Sequence, residues 1–202
     1  MISILFFYRN AKIGFSIGKV FEDIQKQISK YYTTKKVEMF TTRSTPIDII
    51  KNLYGTYKYR NKKGIHHITG HIHEVALALI GVKTVLTIHD LVFIDNVKNP
   101  IKRFYKWLFW LYLPVKLVDQ VTCISKQTKN NILKHVSINP DKITVIYNPV
   151  GNDLNYTPKK FNPIKPVILH IGTGWNKNLD RVIYSLKDIS CCLLYTSDAA
   201  DD

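Results

Sequence analysis

The sequence predicts an α/β fold: one complete Rossmann-like, doubly wound domain followed by the first strand and helix of a second. Apolar runs of strand length alternate with segments of helical periodicity along most of the 202 residues, which is typical of a parallel sheet covered by helices. The first run, ISILFFYR, is continuous rather than alternating, as expected for a parallel strand buried on both faces.

The first half of the chain supplies three strands. ISILFFYR, from Ile2 to Arg9, is the first, and the loop NAKIGF follows it. A helix is expected from about Ser16, because apolar residues then recur at i, i+3 and i+4. KVEMFTT is expected to be the second strand, and Thr45 followed by Pro46 predicts the start of the next helix. GIHHIT is the third strand, and HEVALALIG a short helix ending at Gly81.

The next segments continue the alternation. KTVLTIHD is the fourth strand, and an aromatic, basic helix is expected from Pro100 to Leu113. VDQVTCIS is the fifth strand, after which Ser125 is expected to cap the helix KQTKNNILKHV. KITVIYNPV is the sixth strand and closes the domain.

Composition places the domain boundaries. Residues 1–150 form the first domain, and residues 151–166 are polar and contain three prolines, as expected of an interdomain linker. Residues 167–190 then begin a second domain with VILHIGTG. Residues 191–202 fit neither, and from Cys192 the string CLLYTSDAAD resembles the translation of a sequencing-library adapter. We therefore expect a non-native tail there and a truncated second domain, with its strand exposed and without a sheet to join.

The charge indicates the partners. A formal net charge of +14 favours anionic ligands: phosphorylated small molecules, acidic lipid or nucleic acid. Neither a membrane-spanning run nor a signal peptide is apparent, and the three cysteines have no motif spacing. We expect a cytoplasmic protein.

Two glycine loops are candidate phosphate sites. Gly172, Thr173 and Gly174 follow a buried strand, and Lys177 is expected one step inside the next helix. Gly14 lies in the loop after the first strand. Backbone N–H groups at such loops approach phosphates closely, and lysine adds a positive charge. An ordinary turn between strand and helix explains either loop about equally well.

His89 and Asp90 end the fourth strand, where open α/β sheets bind ligands. A histidine there can contact a sugar hydroxyl or move a proton, whereas the alternative is a packing or capping pair. The histidines of HHITGHIHE do not have the spacing of a metal motif, and His66 and His67 should point to opposite faces. One or two of them, His71 foremost, are expected to line a cleft.

The segment from Asn99 to Lys116 combines cations with bulky aromatic residues, which suits a helix lying on an anionic membrane surface. Packing of the helix on its own sheet explains part of the aromatic content, so both are expected. No nucleic-acid motif is present, so nucleic acid is not an expected partner. The residues expected at the membrane surface are Lys102, Arg103, Lys106, Trp107 and Trp110.

Taken in order, these motifs resemble the retaining GT-B glycosyltransferases of the group 1, or family 4, type. The resemblance rests on FFYRNAKIGFSI, HITGHIHEVALALIGVKTVLTIHD, VDQVTCISKQTKNNIL, KITVIYNPV and ILHIGTGWNKNLDRVIYSL. Lys126 stands where an acidic residue is common in the family, and Pro149 replaces a glycine. The family's later acidic motif has no counterpart in this sequence.

The resemblance implies an acceptor-binding first domain and a nucleotide-sugar-binding second domain, with sugar transfer to a glycan or lipid-linked hydroxyl and no metal cofactor. Gly14, Gly172, Thr173 and Lys177 would then face the donor phosphates. His89 would contact the transferred sugar, while His71 and Asp90 would line the acceptor cleft. The chain by itself is expected to be inactive. The alternative is a non-catalytic basic module that binds an anionic membrane or nucleic acid.

Overall fold

The computed structural model describes residues 2–12, 15–42, 45–149, 157–158, 160–174 and 177–196. The chain divides into two compact units, Met1–Gly151 and Asn152–Asp202. The assignment of these units to acceptor and donor binding stays a prediction.

The first unit is built on a six-stranded sheet in the order β2-β1-β3-β4-β5-β6, with every neighbouring pair parallel. Because strand order runs outward from β1 in both directions, the crevice expected to bind ligands lies beside β1 and β3, at the carboxyl ends of the strands. The fold class is therefore the predicted α/β class. The strands are β1 Ser3–Tyr8, β2 Thr33–Glu38, β3 Ile65–Ile68, β4 Thr84–Ile88, β5 Gln120–Cys123 and β6 Ile143–Val145.

Helices cover both faces of this sheet. On one face Phe6 and Tyr8 pack against Phe21 of α1 (Phe15–Ile28). On the other face Leu5 and Phe7 belong to the larger core, because successive strand residues point to opposite sides. The remaining helical segments are α2 Pro46–Lys58, a 3₁₀ helix His73–Leu79, α3 Val92–Asp95, α4 Pro100–Lys106, a π-helical turn Trp107–Tyr112, α5 Leu113–Leu117, α6 Lys126–His135 and a 3₁₀ turn Pro140–Lys142.

Two predicted caps are present. The hydroxyl of Thr45 accepts a hydrogen bond from the backbone N–H of Asp48, and the hydroxyl of Ser125 accepts one from that of Thr128. Pro46 follows Thr45 in the first turn of α2, where its missing N–H costs nothing. Within the described residues, no helix is long and apolar enough to cross a bilayer.

The second strand was predicted in the wrong place. KVEMFTT covers Lys36 to Thr42, whereas β2 runs from Thr33 to Glu38. Only Val37 of this strand is buried, because β2 lies at the edge of the sheet. Charged residues are common on edge strands. Locating the strand by its apolar residues therefore places its start several residues after the true one.

The second unit contains β7 Val167–Ile171, α7 Leu179–Ser185 and β8 Cys192–Thr196. β7 pairs in parallel with β8 along its whole length. The expectation that β7 lacks a partner strand is therefore wrong, since the apolar segment CLLYT of the supposed tail supplies one. Val167, Leu169 and Ile171 are nonetheless exposed, as expected for a strand in so small a sheet.

Candidate functional site

The candidate site lies at the carboxyl edge of the first unit's sheet, where three neighbouring strands end. Arg9 follows β1, His71 lies in the loop after β3, and His89 directly follows β4. Parallel pairing brings these strand ends to one edge. The structure thus brings His71, His89 and Asp90 together, as the sequence predicted.

His89 is held in one orientation. Its Nε2 lies 2.9 Å from the carbonyl oxygen of Thr69, and its own carbonyl accepts a hydrogen bond from the Thr128 hydroxyl at 3.2 Å. Because a carbonyl can only accept, Nε2 must carry the proton, and in the neutral ring Nδ1 keeps its lone pair. Burial lowers the pKa of His89, while the Thr69 carbonyl and Asp90 oppose that shift. The lowered pKa favours the neutral ring, whose Nδ1 can accept a hydrogen bond from a hydroxyl.

Gly70 allows this close packing. It has φ +137°, and a Cβ built on it would lie 2.7 Å from Cδ2 of His89. A side chain at this position would both strain the backbone and push the imidazole away.

His71 and Asp90 lie beside His89. The ring of His71 stacks parallel to that of His89, with centroids 6.3 Å apart, and its backbone has φ +45°. Burial lowers the pKa of His71, Asp90 raises it, and Arg9 and His89 lower it further. Asp90 accepts a hydrogen bond from the N–H of Val92 and so also shapes the start of α3.

A cavity of about 470 Å³ opens beside this edge. Thr69 and Gly70 form part of its wall, so His89 stands directly behind them. The volume is within the range of small-molecule sites. Its charged lining residues are Arg9, Lys19, Glu22, Lys36 and Glu38.

Lys36 forms ion pairs with both acidic residues that line this cavity. Its Nζ lies 2.7 Å from Oε1 of Glu22 and 2.9 Å from Oε1 of Glu38. The two carboxylates raise the pKa of Lys36. The same ammonium lies 4.9 Å from the ring centroid of Tyr8. Carboxylate oxygens can accept hydrogen bonds from sugar hydroxyls.

The other histidines are structural. His67 Nε2 lies 2.8 Å from the Thr87 hydroxyl, and His73 Nδ1 lies 2.6 Å from the carbonyl oxygen of Trp110. Burial lowers the pKa of His67 to about 4 and that of His73 to about 3. His66 and His67 occupy opposite faces, as predicted: His66 stacks on Phe7 and His67 packs near Phe6. In the described part of the chain, no group of three or more His, Cys, Asp or Glu side chains is placed to hold a metal.

Two of the residues predicted to bind phosphate, Gly172 and Lys177, are not arranged in the second unit as the sequence predicted. The N–H of Gly172 donates a hydrogen bond to the carbonyl of Thr196 at 3.0 Å. This N–H is therefore used in pairing with β8 and does not point to a phosphate. Lys177 precedes α7 rather than lying inside it, because Asn178 takes a left-handed conformation with φ +57°. Thr173 and Lys177 are exposed. Gly14 lies outside the described residues.

The predicted membrane helix is only partly exposed. Lys102 and Arg103 are exposed and Lys106 is half-buried. Trp110 is 6% exposed, and Trp107 is half-buried, packs on the core and donates from Nε1 to the carbonyl of His135. The placement of Trp110 at a membrane surface is therefore wrong, whereas that of Trp107 stays a prediction. Trp110 lies within a π-helical turn, whose spacing a regular 3.6-residue period does not predict.

Residues 32–153 match the family model for glycosyltransferase family 4. This match takes in β2 to β6, the 3₁₀ segment after β3 and His89 itself. The chain belongs to glycosyltransferase family 4. The matched residues include the carboxyl-edge histidines, so the family assignment covers the part of the chain that carries the candidate site.

A curated relative supports the assignment. Over 121 residues the chain is 31% identical to the UDP-Gal:alpha-D-GlcNAc-diphosphoundecaprenol alpha-1,3-galactosyltransferase of Escherichia coli. The alignment includes 56% of this family 4 chain and spans 29% of the length of that enzyme.

A solved structure supports the fold. The crystal structure of Anabaena HepE in complex with UDP and glucose superposes with a TM-score of 0.54 at 10% identity. The superposition covers 99% of this chain and 71% of HepE. At this identity the likeness is one of fold, and it agrees with the GT-B type that the motifs predict.

Sequence reasoning missed the residues that line the cavity. Glu22 and Lys36 lie on α1 and β2, and their pairing is visible only once those elements are placed. Gly70 carried a usable signal, because it directly follows β3 at the ligand-binding edge.

Proposed function

We propose that this family 4 protein takes part in moving a sugar from a nucleotide-sugar donor to a hydroxyl of a lipid-linked or envelope glycan, with retention of anomeric configuration. One observation carries the proposal: a neutral, fixed His89 stands at the carboxyl edge, behind the wall of a 470 Å³ cavity. The relative named above uses UDP-galactose and a diphosphoundecaprenol-linked acceptor, which supports this substrate class.

His89 is the residue proposed to contact the transferred sugar. Its Nδ1 can accept a hydrogen bond from a sugar hydroxyl because its Nε2–H is committed to Thr69. Such a contact orients the sugar for attack without a change in the charge of the ring.

The cavity is proposed to hold the acceptor. Glu22 and Glu38, held by Lys36, offer acceptors to sugar hydroxyls, and Arg9 supplies positive charge nearby. His71, whose ring stacks on that of His89, and Asp90 are proposed to line the acceptor cleft at the adjoining edge. A cavity with both charge signs suits an acceptor that combines a sugar with a phosphate.

Within the second unit, the donor phosphates are proposed to contact Thr173 and Lys177, while the role expected for Gly14 stays a prediction. The exposed Lys177 would supply the charge, and Thr173 would contribute its hydroxyl. Basic side chains and backbone dipoles of this kind can stabilise a pyrophosphate leaving group, so we propose that the reaction requires no metal ion.

The protein is further proposed to act at the cytoplasmic face of the membrane as a peripheral protein, since its acceptor would be lipid-linked. We propose that the donor site is completed by sequence beyond Ser190 and that the 202-residue chain alone is inactive.

We also propose that the tail from Cys192 derives from a sequencing adapter. The sequence of the source locus tests this proposal directly. A native stop codon after Asp202 would contradict it.

The experiment is a transfer assay with the full product of the gene, UDP-galactose and UDP-glucose as donors, and a GlcNAc-diphospho-lipid acceptor. Product that forms with and without EDTA, with retained configuration by NMR, supports the proposal. Absence of transfer, combined with retained binding to anionic lipid, would favour the alternative of a non-catalytic module.

A further inference from the structure

Helix α2 exposes several large apolar side chains, whereas its buried side carries two polar residues beside Ile49. Ile47, Ile50 and Tyr54 are 66%, 65% and 63% exposed. On the opposite side Asn52 and Thr56 are only 3% and 0% exposed. A helix that served only to cover the sheet would not need large apolar side chains on its outer face. The outward face is therefore suited to a second apolar environment.

The exposed positions form one continuous stripe. They recur at intervals of three, four and seven residues, so they share one face of the helix. Phe40, 58% exposed, extends the stripe, because its ring packs where a Cβ on Gly55 would lie. We call this surface the α2 face, and its members are Phe40, Ile47, Ile50, Lys51, Tyr54, Tyr57 and Lys58.

The charges on the α2 face have one sign. Lys51 and Lys58 are exposed, and Lys58 Nζ lies 4.4 Å from the ring centroid of Tyr54. Arg60, just beyond the helix, lies over the ring of Tyr57 at 5.0 Å. The acidic residue of α2, Asp48, is half-buried and accepts a hydrogen bond from the Thr45 hydroxyl at the helix start. Cations interleaved with aromatic and aliphatic side chains match an anionic lipid interface.

We propose that the α2 face docks this protein on an anionic bilayer, with Ile47, Ile50 and Tyr54 in the interfacial region and Lys51 and Lys58 on lipid phosphates. The apolar side chains supply burial, and the lysines supply charge complementarity to acidic headgroups. This inference refines the membrane association of the proposed function and moves it from α4 to α2.

Helix α4 is the natural comparison. It exposes Ile101 and Phe104 beside Lys102 and Arg103. However, its two following tryptophans point into the protein, so the exposed apolar surface is confined to a short helix. The two helices thus offer double variants with the same change in charge, and each also offers exposed apolar residues that can be replaced by serine.

The test is co-flotation of the 202-residue chain with vesicles of phosphatidylcholine, with and without phosphatidylglycerol. Wild type is expected to bind the anionic vesicles only. Lys51→Gln with Lys58→Gln should weaken binding on the order of thirtyfold, given about 1 kcal/mol for each cation near the surface. Ile50→Ser with Tyr54→Ser should weaken it further, and circular dichroism verifies the fold of each variant.

The control variants are Lys102→Gln with Arg103→Gln, and Ile101→Ser, which should bind within about twofold of wild type. Equal losses from α2 and α4 variants, or unchanged binding of the α2 variants, would overturn the proposal. Self-association of the wild type in sedimentation experiments, abolished by Ile50→Ser with Tyr54→Ser, would also overturn it in favour of a protein partner. The assay contains no substrate, so its failure is distinct from a failure of sugar transfer.

Discussion

The imidazole of His89 and the carbonyl of Thr69 are joined by a hydrogen bond of 2.9 Å that links the ends of β4 and β3. This contact fixes the ring orientation and the tautomer together. It also places His89 against Gly70, one residue after Thr69. The candidate site therefore depends on the backbone of the β3 loop as much as on its side chains.

The contact predicts the protonation of His89. Because burial lowers its pKa and Nε2 donates to Thr69, the neutral Nε2–H tautomer is expected at pH 7. Nitrogen NMR of the isotope-labelled chain should show an unprotonated Nδ1. A protonated Nδ1 at pH 7 would mean that the ring cannot accept a hydrogen bond from a sugar hydroxyl at this atom.

Gly70 should not tolerate a side chain. Gly70→Ala is expected to destabilise the fold by about 1–3 kcal/mol, because its φ is positive and its Cβ would collide with His89. Gly18→Ala is the control: it lies within α1, where a new Cβ meets nothing within 4 Å, and should stabilise by about 0.5–1 kcal/mol. Urea denaturation measures both changes. Equal effects from the two substitutions would refute the packing argument.

Glu74 should make stability fall as pH rises. Asn52 Oδ1 and Glu74 Oε2 are buried without a partner among the described residues, and burial raises the pKa of Glu74 to about 7. Unfolded glutamate ionises near pH 4.5, whereas the folded group holds its proton until about pH 7, so stability is lost between those values.

Glu74→Gln should remove this loss, because its amide is neutral and adds a donor. Its gain over wild type should be absent below pH 4.5 and reach about 3 kcal/mol above pH 7. Thermal unfolding at pH 4 and pH 8 measures the difference. A gain of the same size at both values would show that ionisation is not its source.

Lys36 should affect acceptor binding rather than chemistry. Lys36→Gln removes both short ion pairs, so Glu22 and Glu38 should repel and lose their positions. In the full gene product we expect a rise of roughly tenfold in the acceptor KM with kcat nearly unchanged, as for a lost binding contact. Lys30→Gln, whose Nζ bonds Gln27 on the surface, is the control. A loss confined to kcat would place Lys36 in the reaction instead.

The sequence predicted those parts of the fold that depend on local pattern. Apolar runs located β1, β4 and β5, and the Thr45 and Ser125 caps located two helix starts. The edge strand β2 was misplaced because a charged strand gives no apolar run. Trp110 was assigned to the wrong surface because a π-helical turn changes the period.

Part of the site could also be predicted. His89 and Asp90 were found because a strand end in an open sheet is a known ligand position. The Glu22–Lys36–Glu38 cluster was not, since its members come from α1 and β2 and meet only in the folded chain. The exposed apolar stripe of α2 was equally invisible, because this helix has apolar residues on more than one side and the sequence does not say which of them face the sheet.

The most direct test of this account is sugar transfer by the full gene product with His89 replaced by alanine. UDP-sugar and a GlcNAc-diphospho-lipid acceptor serve as substrates, and circular dichroism confirms folding. We predict that wild type forms a retained glycoside and that His89→Ala lowers kcat on the order of a hundredfold. Transfer at the wild-type rate by a folded His89→Ala protein would contradict the central claim.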